Sequence, residues 1–269
     1  MFQFETASRL RPFDPITRKE TDGDGMILGE AKILIVDDEP ALREILAKWL
    51  ASVGCGEVRT AVDGVDALEA MERYAADLLI SDVRMPQLDG VGLVRRLGEL
   101  RKTIPSIVFV SGFGDVDERE MYGLGVEAFM AKPLRLEELI AVMKKALAER
   151  EALWSTPMET APRQTMEFAA GGLVVGCDSG SGTAEESALL HIGRGGFSAR
   201  YPGPLSLGKV SFQCSCPGHE GLVSGQGMVR WRSRADQRVG IEISYLAAPC
   251  RRLVLEKLGA APPHCFIPG

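Results

Sequence analysis

Between Ala31 and Arg150 the chain alternates five times between a short apolar run and a segment whose apolar residues recur at helical spacing. The apolar runs are continuous rather than alternating, as expected of strands buried on both faces. Lys32–Val36 (KILIV) reads as the first. Pro40 then opens a helix with Leu42, Ile45, Leu46, Trp49 and Leu50 on one face, and Gly54–Gly56 stops it. The pattern continues with a strand at Glu57–Ala61 and a helix at Asp63–Tyr74. A strand at Asp77–Ser81 and a helix at Val91–Leu100, capped by Asp89, come next. They are followed by a strand at Ile107–Val110, a helix at Asp115–Leu124, a strand at Val126–Met130 and a long helix at Arg135–Arg150. Five such repeats predict an α/β doubly wound sheet of five parallel strands.

Beyond this segment the texture changes. Ser155, Thr156, Pro157 and Pro162 mark a linker. Gly-rich strands are expected at Leu173–Cys177, Ala188–Ile192, Gly196–Tyr201, Lys209–Gln213, Gly221–Trp231 and Val239–Tyr245, with a helix near Arg251–Leu258. That pattern predicts a small antiparallel β-barrel with a C-terminal helix. The expected organisation is a polar N-terminal tail (1–30), a doubly wound domain (31–150), a linker (151–162), a barrel domain (163–260) and a C-terminal tail (261–269).

Charge and composition narrow the function classes. The formal net charge of −6 divides into −2 for residues 1–30, −5 for 31–150 and +1 for 151–269. An acidic first domain argues against nucleic-acid binding there. No run reaches the ~18 apolar residues of a membrane span. MFQFETASRL lacks the basic start of a secretory signal, so a cytoplasmic protein is expected. Six cysteines then read as reduced thiols, with Cys55, Cys177 and Cys250 as small core residues and Cys265 in the tail.

In a doubly wound sheet, ligands gather beyond the carboxyl ends of the strands. That rim would carry Asp37 and Asp38 after the first strand, Asp82 after the third, Ser111 after the fourth and Lys132 after the fifth. Adjacent carboxylates repel and favour a hard cation, and Mg²⁺ suits an oxygen-only donor set. A carboxylate beside Mg²⁺ can attack phosphorus, while Lys132 and Ser111 neutralise the transferring group.

The segments ILIVDDEP, LLISDVRMPQLDG, IVFVSG and FMAKPL resemble those of a response-regulator receiver domain of two-component signalling, over all of residues 31–150. The resemblance implies Asp82 as phospho-acceptor. It implies Asp37, Asp38, Asp82 and the backbone carbonyl of Arg84 as the Mg²⁺ site. Ser111 and Lys132 would sense the phosphate, Phe129 would be the aromatic switch, and Lys132–Pro133 would be a cis bond. It further implies a sensor histidine kinase or phosphotransfer protein as donor. Activity would be limited to self-phosphorylation from small donors and loss of that phosphate.

From Arg163 to about Leu258, HIGRGGFSARYPGPLSLGKVSF and GQGMVRWRS…VGIEISYL resemble a PilZ domain, a small barrel that often binds cyclic di-GMP. Binding needs two arginines four residues apart, then Asn or Asp, Ser and Gly in a turn. Arg163 is present, but Glu167 stands at the second arginine's place. His191 and Gly193 replace the amide or carboxylate and the serine, and Gly196 is retained. The degenerate site would comprise Arg163, His191, Arg194 and Gly196, and cyclic di-GMP binding is expected to be lost.

Arg194 reads as a solvated turn residue. Arg230, Arg232 and Arg234 read as a solvated strand face with Trp231 on the other. Cys214, Cys216 and His219 lack the spacing of a zinc site.

The leading functional reading is a phosphorelay regulator whose barrel acts through contacts with an unidentified downstream protein. The alternatives are a dual sensor with a variant cyclic di-GMP site and a transcription regulator, which the absence of a recognition helix disfavours. The long last helix of the first domain offers a surface for homodimers.

Overall fold

The computed structural model describes residues 28–100, 104–112, 117–159, 164–169, 172–176, 189–204, 207–215, 222–260 and 262–269. Most of the expected N-terminal tail, together with Arg163, Cys177, Cys216 and His219, lies outside the described residues.

The first domain holds β1 (Lys32–Val36), β2 (Glu57–Ala61), β3 (Leu78–Asp82), β4 (Ser106–Ser111) and β5 (Val126–Ala131) in one all-parallel sheet of order β2-β1-β3-β4-β5. Its helices are α1 (Pro40–Ser52), α2 (Gly64–Arg73), α3 (Gly90–Glu99), α4 (Glu118–Leu124) and α5 (Leu136–Leu147). Successive side chains of β1 serve opposite faces. Ile33 and Ile35 pack with Leu46 and Leu50 of α1 and with Leu139 and Met143 of α5. Leu34 and Val36 pack with Leu93, Val94 and Leu97 of α3. Two cores on one sheet explain why the strand sequences are apolar throughout.

Local chemistry sets the helix ends. Asp63 accepts from Val65 and Asp66 N–H at α2, and Asp89 from Gly92 N–H at α3. Gly125, at φ 104°, closes α4 in the left-handed region. The last helix is shorter than expected. It stops where Ala148 turns extended (ψ 147°), and a separate turn, α6 (Arg150–Leu153), follows.

The second domain holds β6 (Gln164–Ala169), β7 (Gly172–Val175), β8 (Leu189–Ile192), β9 (Gly196–Arg200), β10 (Gly208–Ser215), β11 (Leu222–Ser233) and β12 (Arg238–Leu246), closed by α7 (Ala248–Ala260). The strand order is β6-β10-β11-β12-β9-β8-β7. It is a curled, mixed half-barrel rather than a purely antiparallel barrel. β6 joins β10 in parallel and β7 joins β8 in parallel, so each edge is finished by a parallel pair. Register shifts in the β11–β12 ladder, at Gln226/Gly227 and Val229/Trp231, bend the sheet around Phe197, Phe212 and Ile241.

Trp154, expected in the linker, is instead buried in this core beside Cys250 and Val254. The expected C-terminal tail is also packed: Cys265, Phe266 and Ile267 are fully buried. Cys265 is disulfide-bonded, against the expectation of reduced thiols throughout.

Gly196 has a packing reason to be glycine. A Cβ there would overlap the carbonyl oxygen of Ile241 on the neighbouring strand. Gly196→Ala should destabilise the half-barrel by about 1–3 kcal/mol through forced strand separation. Its thermal transition should fall while that of the first domain stays in place. An unchanged transition would remove this account.

Candidate functional site

The strand order reverses between β1 and β3, and the crevice this creates lies at their carboxyl ends. Asp37 follows β1 directly and Asp82 ends β3. Both are buried, yet their carboxylates are engaged. Asp37 Oδ1 accepts from the Glu39 N–H at 2.8 Å, and Asp82 Oδ1 accepts from the Arg84 N–H at 3.3 Å.

Lys132, at the end of β5, reaches across the crevice. Its Nζ donates to Asp82 Oδ2 at 2.7 Å, to Asp37 Oδ2 at 3.1 Å and to Glu39 Oε1 at 3.4 Å. The Lys132–Pro133 peptide is cis.

Burial pushes the Asp37 carboxyl above its ordinary pKa, although the Glu39 N–H and Lys132 pull the other way. Burial pulls the Lys132 ammonium down, but its hydrogen bonds to Asp82 and Asp37 outweigh this and hold it above its ordinary range. Ligand oxygens of Asp37, Glu39 and Asp82 lie within 4.8 Å of one another. An all-carboxylate set of this kind fits Mg²⁺ rather than a softer ion.

The sequence pointed to Asp38 as the second metal-site acid. Asp38 and Glu39 are both exposed, and the Glu39 carboxylate converges with those of Asp37 and Asp82. Glu39 was missed because it sits at the N-cap of α1, where an acidic residue needs no further explanation. Ser111 ends β4, with its hydroxyl donating to the Gly112 carbonyl at 2.7 Å. Phe129 lies in β5 at the opposite edge of the sheet from β2.

The family model for a response regulator receiver domain matches residues 33–144. Residues 33–144 are a receiver domain. Sensor histidine kinase RcsC of Salmonella typhimurium is 34% identical over 134 residues, covering 50% of this chain and 13% of that protein. Response regulator Rre1 of Synechocystis is 33% identical over 135 residues, covering 49% and 58%. Sensor kinase CckA of Brucella abortus is 39% identical over 128 residues, covering 46% and 13%. The chain thus spans between 13% and 58% of the length of these curated relatives. No helix among the described residues is long and apolar enough to cross a membrane.

The receiver and the half-barrel meet at a seam that the sequence did not announce. Tyr122 of α4, Trp231 of β11, Phe266 and Ile267 form a buried cluster, with Phe129 packed against it. Phe129 meets Tyr122 edge-on, with ring centroids 5.3 Å apart, and Tyr122 stacks on Phe266 at 6.0 Å. Around the aromatics lies a ring of ion pairs. Arg150 reaches Glu127 at 2.6 Å, Arg194 reaches Glu127 at 3.1 Å, and Arg119 reaches Asp236 at 2.8 Å. Glu242 of β12 pairs with Lys145 of α5 and, at 2.7 Å, with Arg230. Tyr122, Phe266, Glu127, Arg150, Lys145 and Glu242 border a cleft of about 590 Å³.

Two expectations for arginines are corrected here. Arg194 is not a solvated turn residue. Its guanidinium donates to the carbonyls of His264 and Gly125 and pairs with Glu127. The Arg230–Arg234 stripe is also broken. Arg230 turns into the seam, Arg232 is exposed, and Arg234 lies beyond the end of β11 in a turn. The register shift at Val229/Trp231 interrupts the simple alternation on which a stripe depends. His191 is buried at β8, paired across to Ser198, and Glu167 is exposed on β6.

Burial works to raise the Glu242 pKa, but Lys145 and Arg230 overcome it and hold the carboxyl below its ordinary value. A carboxyl with a depressed folded pKa contributes stability that is fully present above its unfolded pKa and lost as pH falls through the folded value. Glu242→Gln should therefore weaken the fold by about 1–3 kcal/mol at pH 7, the two cations being partly solvated. The wild-type and variant melting curves should converge as pH falls well below the ordinary glutamate range. A pH-independent difference would show that the ion pair is not its origin.

Proposed function

We propose that this chain is a response regulator in which phosphorylation of Asp82 controls the half-barrel through the seam. The observation that carries the reading is the Lys132 ammonium bridging Asp37 and Asp82, in a domain of receiver type, at the sheet's switch point. Asp82 Oδ1, whose hydrogen bond from the Arg84 N–H is long, attacks the phosphorus of a phosphohistidine or of acetyl phosphate. An O–P bond forms to Asp82, and the bond from phosphorus to the histidine nitrogen or the acetate oxygen breaks. Asp37, Asp38, Asp82 and the Arg84 carbonyl, with Glu39 beside them, would hold Mg²⁺, which would supply charge neutralisation at the phosphoryl oxygens.

Lys132 is placed to move from a carboxylate oxygen onto a phosphoryl oxygen without leaving the crevice. The Ser111 hydroxyl, whose one proton goes to the Gly112 carbonyl, would turn that proton to a phosphoryl oxygen instead. The acyl phosphate carries about −2 where the carboxylate carried about −1, and the added negative charge draws both groups inward. Phe129 is the aromatic switch in this reading, and its edge contact with Tyr122 joins the acidic crevice to the seam.

The half-barrel, PilZ-like in its sequence pattern, acts in this proposal through protein contacts and not as a cyclic di-GMP receptor. The main-chain N–H groups of Arg194 and Gly195 donate to the carbonyls of Cys265 and Phe266, so the chain itself covers the turn that a nucleotide would need. Neither recognition-helix geometry nor a nucleophile–base pair supports the transcription or enzyme readings among the described residues.

Acetyl phosphate with Mg²⁺ should give one phosphoryl adduct by intact mass. EDTA or Asp82→Asn should abolish it, and labelled cyclic di-GMP should show no saturable binding in the micromolar range. An adduct that persists at wild-type level in Asp82→Asn would refute Asp82 as the acceptor.

A further inference from the structure

The last residues of the chain pair with both domains at once. On the half-barrel side, Arg194 N–H donates to the Cys265 carbonyl and Gly195 N–H to the Phe266 carbonyl, each at 2.9 Å. On the receiver side, Phe266 N–H and Ile267 N–H donate to the Tyr122 carbonyl, at 2.9 and 3.3 Å. The segment thus lies between a turn and a helix end, bent at His264, Phe266 and Ile267, with backbone hydrogen bonds to both walls.

The walls are shaped for it. A side chain at Gly195 would collide with the Phe266 ring, and one at Gly193 would collide with the Phe266 and Cys265 carbonyls. Both glycines are therefore needed for the backbone to approach this closely. Tyr122 covers one face of the Phe266 ring, and the Arg150 guanidinium lies 5.2 Å from its centroid. The Phe266 and Ile267 side chains are fully buried.

We propose that this seam is a peptide-binding groove, selective for a bent segment carrying an aromatic and then a β-branched residue. In this chain its own residues His264–Ile267 occupy it as an internal ligand, and Asp82 phosphorylation loosens that occupancy through Phe129 and Tyr122. The groove rests on geometry alone. Its control by Asp82 rests on the function proposed above.

Hydrogen–deuterium exchange on the full chain tests both parts. Phe266→Ala should raise exchange at Glu118–Leu124 and at Arg194–Gly195 by about tenfold or more, because the groove would lose its anchor. Excess peptide spanning residues 262–269, carrying Cys265→Ser, should restore protection. Phe266→Leu, which keeps bulk, should give a smaller rise, and the melting transition of each variant shows that it is folded. If folded Phe266→Ala leaves these amides as protected as wild type, or if the peptide restores nothing, the groove is refuted.

Acetyl phosphate with Mg²⁺ should raise exchange at the same amides in wild type and not in Asp82→Asn. Intact mass taken in parallel separates the two ideas. A phosphoryl adduct without any change at the seam overturns control of the groove but leaves Asp82 as acceptor. Absence of an adduct overturns the acceptor, and the groove then stands or falls on the Phe266→Ala result.

Discussion

Two carboxylates with oxygens no more than 4.8 Å apart cannot both stay ionised in a buried crevice without a counter-charge. Their mutual repulsion is roughly 3 kcal/mol at an effective dielectric near 20. The Lys132 ammonium supplies the counter-charge, and it does so from the far side of the sheet's midline, from the end of β5 to the ends of β1 and β3. The contact therefore ties together three strands as well as three charges. It also makes the crevice responsive. Any group that adds negative charge at Asp82 competes for the same ammonium, and Lys132 directly follows the strand that carries Phe129.

That linkage gives the seam its mechanical sense. From Phe129 the contacts run by edge and face through Tyr122 to Phe266, and the Tyr122 carbonyl is the hydrogen-bond acceptor for the terminal segment. Rings packed edge-to-face exchange between discrete arrangements rather than deforming smoothly, because close-packed interiors resist partial displacement. The surrounding ion pairs fix the register of the two domains. Glu127 and Glu242 each face two cations drawn from different elements, so sliding one domain over the other would break more than one pair at a time.

The sequence disclosed the receiver almost completely and the half-barrel in part. Buried parallel strands leave continuous apolar runs, and acids at strand ends need no long-range knowledge to be placed at one rim. Asp37, Asp82 and Lys132 were therefore legible, though Glu39 was hidden behind its role at a helix start. In the half-barrel, β6 escaped because QTMEFA shows too few alternations to stand out between Pro162 and the glycines that follow. The parallel edge pairings escaped too, since local pattern does not encode which strand a neighbour will be. The seam left no trace at all. Tyr122, Trp231 and Phe266 are more than 30 residues from one another, and each reads alone as an ordinary aromatic.

The departures from the cyclic di-GMP pattern acquire a physical reason once the seam is in view. A nucleotide site needs a turn with free main-chain donors and an open approach for the bases. Gly193 and Gly195 instead bring the turn so close to the terminal segment that no Cβ would fit. Arg194, which in a nucleotide site would reach for phosphate, spends its guanidinium on Glu127 and on two carbonyls. Burial holds the Arg194 pKa below its ordinary value, and Glu127 offsets this only in part. Restoring the missing serine at position 193 would press a side chain against the Phe266 carbonyl and open the seam. The same turn cannot both hold the terminal segment and present an intact nucleotide motif, and this sequence carries the residues that favour the segment.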